Sequence, residues 1–180
     1  WIAAAIAQLR TRRAELEGTD SIVSSLAAEL AGTIPLIYGG SGVGRAAAIR
    51  WKDQINQSAK SPAWWGLLPD VMHAELAGWG QHGDITRQIM SLVLLRHDEE
   101  PPEVAEQFGV IEEWTQEVMV GINTVQAQGE GSLAQLLDLV YVGDLVSLAL
   151  AERYGIDPGP TPVIAGSPVP DGTDADSKEI

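Results

Sequence analysis

Two hydrophobic patterns alternate along the chain. Residues 2–17 are Ala-rich and favour a helix, whereas residues 34–38 form a short unbroken apolar run that is closed by a Gly-rich segment. A short apolar run bounded by turn residues is typical of a buried strand, and a longer helix-forming segment that ends at Gly is typical of a helix. Together these patterns predict helices at residues 2–17, 19–31, 45–60, 70–79, 101–118 and 132–154, and strands at residues 34–38, 63–65, 91–96 and 122–127.

This alternation of strands and helices predicts an α/β fold, a doubly wound parallel sheet flanked by helices on both faces. Gly155 is a natural end for the last predicted helix. Its predicted apolar face consists of Leu133, Leu136, Leu137 and Val140.

The domain boundaries follow from where the pattern starts and stops. We expect one globular domain at residues 20–165. Residues 1–19 are expected to be a helix or linker from a further domain upstream, because the sequence does not begin with Met. Gly, Pro and Asp dominate the end of the sequence, so residues 166–180 are expected to form a disordered acidic tail.

Composition argues against several classes of partner. The chain has 25 acidic and 11 basic side chains, a net charge of −14, and no cluster of Lys and Arg among aromatics. We therefore expect no nucleic acid or membrane partner, since phosphate neutralisation dominates such binding. The absence of cysteine excludes disulfides, thiolate nucleophiles and Cys-based zinc sites. A chain without cysteine is expected in the cytoplasm. No apolar run reaches the roughly 18 residues of a membrane span.

A Gly-rich segment, residues 39–44, joins the first predicted strand to its helix. Such a turn can hold an anion with its backbone N–H groups and the helix dipole. The segment lacks the Lys-Ser/Thr ending of a P-loop, and Arg45 prevents a match to the dinucleotide-binding pattern G-x-G-x-x-G. We favour a tight turn with close helix packing, with anion binding as the alternative.

Two segments carry a family resemblance. In residues 54–75 (QINQSAKSPAWWGLLPDVMHAE), seven residues fit a known motif without a gap: Asn56, Ala59, Lys60, Leu68, Pro69, Asp70 and His73. The last predicted helix is followed by Gly-Ile-Asp-Pro at residues 155–158. Over about residues 20–165 the chain resembles the C-terminal sugar-isomerase (SIS) domain of the bifunctional phosphoglucose/phosphomannose isomerases, and it is similar to their actinobacterial, TobH-like members. The resemblance implies an SIS-type fold, a sugar-phosphate ligand, a homodimer and an upstream SIS domain.

The same resemblance implies site residues. In the family a Glu takes a proton from the sugar carbon, a His delivered across the dimer interface assists ring opening, and a Thr and a Lys contribute to the site. His73 and Thr161 match the His and the Thr. Gln57 stands in place of the Glu, and Pro168 stands in place of the Lys. Lys178 lies in the predicted tail and is not assumed to substitute for that Lys.

The amide at residue 57 bears directly on catalysis. An amide cannot accept a proton at neutral pH, and a general base is typically worth about 10² to 10⁴ in rate. Gln57 can still hydrogen-bond a sugar hydroxyl. Glu75 is an alternative base, but side chains two residues apart do not share a helix face with each other, so its support for His73 is weak. The alternative for both Gln57 and His73 is an exposed helix position without a function.

Three functions fit these residues. The first is aldose–ketose isomerisation of glucose 6-phosphate or mannose 6-phosphate to fructose 6-phosphate. The second is a sugar-phosphate-binding regulatory module that has lost isomerisation, which the missing base favours. The third is a structural dimerisation domain in which Trp64, Trp65 and Trp79 form an interface. No metal or organic cofactor is expected, because acid–base isomerisation needs none and the sequence has no ligand-spaced His/Cys cluster.

Overall fold

Four strands form one parallel sheet in the computed structural model, which describes residues 1–159. The strands are β1 (Ile34–Gly39), β2 (Trp64–Leu67), β3 (Met90–Arg96) and β4 (Ile122–Gln126), in the spatial order β2-β1-β3-β4. The helices are α1 (Ile2–Leu16), α2 (Ile22–Leu30), α3 (Val43–Ser58), α4 (Asp70–Ala74), α5 (Leu76–Trp79), α6 (Gly83–Ile89), α7 (Pro102–Thr115) and α8 (Gly131–Tyr154). The predicted α/β fold is confirmed.

The sheet is doubly wound because the chain leaves β1 for β2 on one side and then crosses to β3 on the other. Leu36 lies opposite Trp64 of β2 and Leu92 of β3, and Leu92 lies opposite Ile122 of β4. Since all four strands are parallel, their last residues share one border of the sheet, which we call the carboxyl edge. The opposite border is the amino edge, and the helices that follow β1 and β4 run back towards it.

Alternation of side chains along each strand divides the interior into two cores, one on each face of the sheet. The first core packs against α4, α5 and α7 and includes Leu36, Tyr38, Leu92 and Leu94. The second packs against α2, α3 and α8 and includes Ile37, Val93, Leu95 and Val125. Burial on both faces explains why the central strands β1 and β3 are almost entirely apolar. The edge strands β2 and β4 are partly exposed.

Close contact between α3 and α8 fixes the helix that carries Gln57 against the last helix of the domain. The indole Nε1 of Trp51 donates to the backbone oxygen of Leu139 at 2.7 Å. A side chain at Gly143 would collide with Trp51, because its Cβ would lie 2.4 Å from Nε1. Arg50 and Asp144 add two hydrogen bonds of 2.9 Å nearer the surface. The two helices are therefore held side by side as they run to the amino edge.

A buried ion pair attaches α1 to α8 at the carboxyl edge. Arg12 Nε donates to Asp138 Oδ1 at 2.8 Å, and the backbone N–H of Gln128 donates to Asp138 Oδ2 at 2.9 Å. Asp138 is fully buried. A buried carboxylate is stable only when it is paired and hydrogen-bonded, so α1 packs as part of the domain body.

The buried face of α8 differs from the predicted one. Leu137 and Val140 are only partly buried, and the residues that enter the core are instead Leu139, Val142, Val146 and Leu150. A helix that is apolar on most sides does not reveal by spacing which side faces the sheet. By length and composition α8 could cross a membrane, but half of its most apolar stretch is buried inside this fold, where it is a core helix.

The predicted helix at residues 70–79 is broken into shorter pieces. Helices α4 and α5 are followed by a 3₁₀ turn at Gly80–His82 and by α6, which the sequence did not indicate. Three glycines in this stretch weaken helix propagation. Thr161, Pro168, Lys178 and the predicted tail at residues 166–180 lie outside the described residues.

Candidate functional site

Gln57 lies on the last turn of α3 at the amino edge, with an exposed side chain. Its backbone oxygen accepts a 2.5 Å hydrogen bond from Lys60 Nζ. Lys60 also donates to the backbone oxygen of Gly159 at 2.6 Å. One ammonium group thus joins the turn that carries Gln57 to the segment that follows α8.

That segment, which we call the exit segment, comprises residues 155–159. It begins at Gly155, whose left-handed backbone (φ 65°) ends α8 as predicted. Gly159 N donates to Asp157 Oδ1 at 2.9 Å, which shapes its last turn. Gly159 precedes Thr161 by two residues, so the structure brings the approach to Thr161 beside Gln57, while Thr161 itself lies outside the described residues.

Asn56 has a structural role that the sequence did not reveal. Its side-chain Nδ2 donates to the backbone oxygen of Lys52 at 2.8 Å and to that of Ala63 at 3.3 Å. The first bond lies within α3, and the second connects the helix end to the residue before β2. Asn56 therefore fixes the loop between α3 and β2 while Gln57 stays exposed beside it.

His73 lies elsewhere. It is an exposed residue of α4, in the connection that leaves the carboxyl end of β2. Asp70 of α4 lines a groove of about 350 Å³ together with Arg45, which belongs to the first turn of α3. Gln57 lies twelve residues further along α3, about 18 Å at 1.5 Å per residue. Within one chain His73 and Gln57 therefore do not meet in one cleft.

Glu75, which lies between α4 and α5, takes part in a partly buried hydrogen-bond network beside β2. The Tyr38 hydroxyl donates to Glu75 Oε2 at 2.5 Å and accepts a 3.3 Å hydrogen bond from Trp79 Nε1. Gly66 leaves room for the Tyr38 ring, since a Cβ there would lie 2.6 Å from it. Burial, with the Glu75 carboxylate beside it, raises the pKa of Tyr38, so the phenol stays a donor. Glu75 is thus engaged on the first core's side of the sheet and not beside Gln57.

Close packing accounts for the Gly-rich turn at residues 39–44. A Cβ on Gly39 would lie 2.4 Å from the backbone oxygen of Gly44, and Gly42 has a φ of 68°. The ring of buried His97 fills the space behind the turn, 3.7 Å from where a Cβ on Gly44 would lie. These contacts fit the tight-turn interpretation. In the part of the chain that the structure describes, no three His, Cys, Asp or Glu residues are grouped to hold a metal ion.

Comparison with known proteins gives one consistent family. The family described as bacterial phospho-glucose isomerase C-terminal SIS domain matches residues 20–166. A bifunctional phosphoglucose/phosphomannose isomerase from Caldicellulosiruptor bescii is 31% identical over 156 residues, which are 86% of this chain and 46% of that protein. The protein of the same name from Aquifex aeolicus is 31% identical over 160 residues, with 83% and 46% covered.

Two solved structures share the fold. A glucose-6-phosphate isomerase like protein from Thermus thermophilus has a TM-score of 0.69 at 22% identity, over 87% of this chain and 51% of that one. The C-terminal domain of glucosamine-fructose-6-phosphate aminotransferase from Francisella tularensis has a TM-score of 0.57 at 15% identity, with 90% and 48% covered. The chain spans about half the length of the curated relatives it matches.

Proposed function

The chain belongs to the bacterial phosphoglucose isomerase family as a C-terminal SIS domain, and from that premise we propose that it binds a hexose phosphate but supplies no base for its isomerisation. The ligand class is that of glucose 6-phosphate, mannose 6-phosphate and fructose 6-phosphate. The proposed site contains Gln57 and Thr161 of one chain and His73 of a second chain.

One observation carries this proposal: an exposed amide, Gln57, stands on the last turn of α3, at the position where the resemblance implies a carboxylate base. An amide donates and accepts hydrogen bonds and can hold a sugar hydroxyl. It cannot take the proton that an aldose–ketose isomerisation must move between neighbouring carbons. Binding is retained in this proposal, and conversion is lost or slow.

The separation of His73 from Gln57 supports a homodimer. The two residues lie at opposite edges of the sheet, so a cleft that contains both needs His73 from the partner subunit. His73 is exposed and free to face another chain. In such a dimer the imidazole would assist ring opening, a step that does not depend on residue 57.

The remaining assignments belong to the same proposal. Residues 20–165 are the SIS domain, and residues 1–19, whose helix α1 packs on that domain, connect it to an upstream SIS domain. Pro168 leaves the site without the family's lysine. The protein acts in the cytoplasm without a metal or organic cofactor, because acid–base handling of a sugar needs none.

Two measurements on the purified full-length protein test this function. Fructose 6-phosphate should raise the melting temperature, while fructose and inorganic phosphate at the same concentration should raise it less, because each satisfies half of the site. Gln57→Ala should weaken the effect of the sugar phosphate without changing the melting temperature of the free protein.

Coupled assays with fructose 6-phosphate and mannose 6-phosphate should show little turnover. A protein that no sugar phosphate stabilises would contradict the proposal.

A second candidate is a structural dimerisation domain. Trp64, on edge strand β2, is 52% exposed and lines a cleft of about 430 Å³ with Trp65 and Trp79. Exposed tryptophan is enriched at protein interfaces. This candidate alone survives if no sugar phosphate shifts the melting temperature and Trp64→Ala converts a dimer to a monomer in light scattering.

A further inference from the structure

We propose that Lys60 is a positioning residue of the sugar-phosphate site, which fastens the exit segment to the turn that carries Gln57. This inference rests on the proposed function. In this inference Lys60 sets the distance between Gln57 and the exit segment, which leads to Thr161. Lys60 itself does not contact the sugar.

The backbone of Lys60 is the first observation. Its φ is 52°, in the left-handed region, directly after Ala59 ends α3 in a helical conformation. Glycine takes this conformation at no steric cost and is the usual residue one position beyond a helix end. A long side chain at a position with an unfavourable backbone conformation suggests that the side chain itself has a structural or functional role there.

The contacts of the side chain are the second observation. An ammonium group has three donors, and two of them reach Gln57 O at 2.5 Å and Gly159 O at 2.6 Å. Gln57 O is one of the carbonyls that a helix leaves unpaired at its C-terminus, where a cation is also favoured by the helix dipole. The same cation thus completes α3 and holds a residue 99 positions later in the chain.

The exit segment depends on this contact. The other hydrogen bonds of residues 155–159 in the described structure are local: Gly155 and Ile156 bond back to the last turn of α8, and Gly159 bonds to Asp157. Lys60 supplies the segment's hydrogen bond to a different element. Without it, the exit segment keeps its start on α8 but loses its attachment to α3.

Lys60→Gly is the informative substitution, because it removes the ammonium group and leaves a residue suited to the left-handed backbone. Affinity of the full-length protein for fructose 6-phosphate, measured by titration calorimetry, should fall about tenfold or more, as for loss of a charge-assisted contact. The melting temperature should stay within about 2 °C. Lys60→Arg, which keeps a cationic donor, should restore most of the affinity.

Lys52→Ala is the matched control. Lys52 lies within α3 and is partly buried like Lys60, and its ammonium group bonds to the neighbouring Asp53 at 2.8 Å. Loss of this cation changes the net charge by the same amount but leaves the exit segment attached. The affinity of the Lys52→Ala variant for fructose 6-phosphate should stay within about twofold of that of the unsubstituted protein, because the substitution removes only a surface ion pair.

A distance measurement separates this inference from the function on which it rests. These 180 residues contain no cysteine, so spin labels can be attached at Ala46→Cys in α3 and Pro158→Cys in the exit segment. Pulsed electron paramagnetic resonance then measures the distance between the two labels. Lys60→Gly should broaden the distance distribution, and Lys52→Ala should not. An unchanged distribution, or a broadened one with unchanged affinity, overturns the positioning role. A narrow distribution in a protein that binds no sugar phosphate overturns the proposed function instead.

Discussion

The two edges of the sheet treat their polar side chains in opposite ways. At the carboxyl edge the buried Asp138 accepts from Arg12 and from a backbone N–H, and on the first core's side the partly buried Glu75 accepts from Tyr38. At the amino edge the side chain of Gln57 is exposed, and the contacts beside it run from the side chains of Lys60 and Asn56 to backbone oxygens. The comparison teaches that these two carboxylates serve structural contacts, whereas the proposed site contains an uncharged amide in an exposed position.

The largest expected effect follows from the buried ion pair at the carboxyl edge. Asp138→Ala should lower the free energy of unfolding by about 3–5 kcal/mol, because it leaves two buried donors, Arg12 Nε and the backbone N–H of Gln128, without an acceptor. Arg12 keeps only its bond to the more exposed Glu15. Urea denaturation measures the loss. Asp144→Ala, on the same helix but in the more exposed pair with Arg50, should cost less than about 1 kcal/mol. Equal losses for the two would remove the distinction between buried and exposed contacts on α8.

Glu75→Ala is expected to have the next largest effect. It removes the acceptor of the buried Tyr38 hydroxyl, which should cost about 1.5–3 kcal/mol of unfolding free energy in the same denaturation experiment. Glu113→Ala, an exposed position on α7, serves as the control and should cost within about 0.5 kcal/mol. Any turnover of hexose phosphates should be the same with and without Glu75. A fall in turnover without a fall in stability would identify Glu75 as a base after all.

The pH dependence of stability gives a smaller effect of known sign. Because folding raises the pKa of Tyr38, its contribution is complete below the ordinary tyrosine pKa of about 10 and is lost as the pH rises above it. Above pH 10 the unfolded chain loses a proton that the folded chain keeps, so stability falls by about 1.4 kcal/mol per pH unit. Tyr38→Phe should remove this part of the slope between about pH 9 and 11. An identical slope in both proteins would show that Tyr38 ionises freely in the fold.

The centre of the sheet could be predicted from the sequence because β1 and β3 are buried on both faces. Such strands are short apolar runs bounded by turn residues. The strand predicted at residues 91–96 differs from the observed β3 only in that β3 begins one residue earlier. The face of α8 could not be predicted, because Leu137 and Leu139 are equally apolar and only the packing of α3 decides between them. Local sequence pattern is enough to locate a buried strand, whereas the face that α8 buries depends on its contacts with other elements.

The candidate site was only partly accessible from sequence. The motif around residues 54–75 points to Gln57 and His73, but not to their separation, which depends on which edge of the sheet each connection occupies. The contact of Lys60 with Gly159 spans most of the chain and depends on a left-handed backbone that lysine rarely adopts. Neither the spacing nor the composition contains that information.

Initial rates of interconversion of fructose 6-phosphate and glucose 6-phosphate, by the full-length protein and its Gln57→Glu variant, test the central claim most directly. We expect slow turnover by the unsubstituted protein and an increase of about 10² or more in the variant, because the substitution restores a carboxylate where the proton must be taken. Rapid interconversion by the unsubstituted protein, unchanged when residue 57 is altered, would contradict the account.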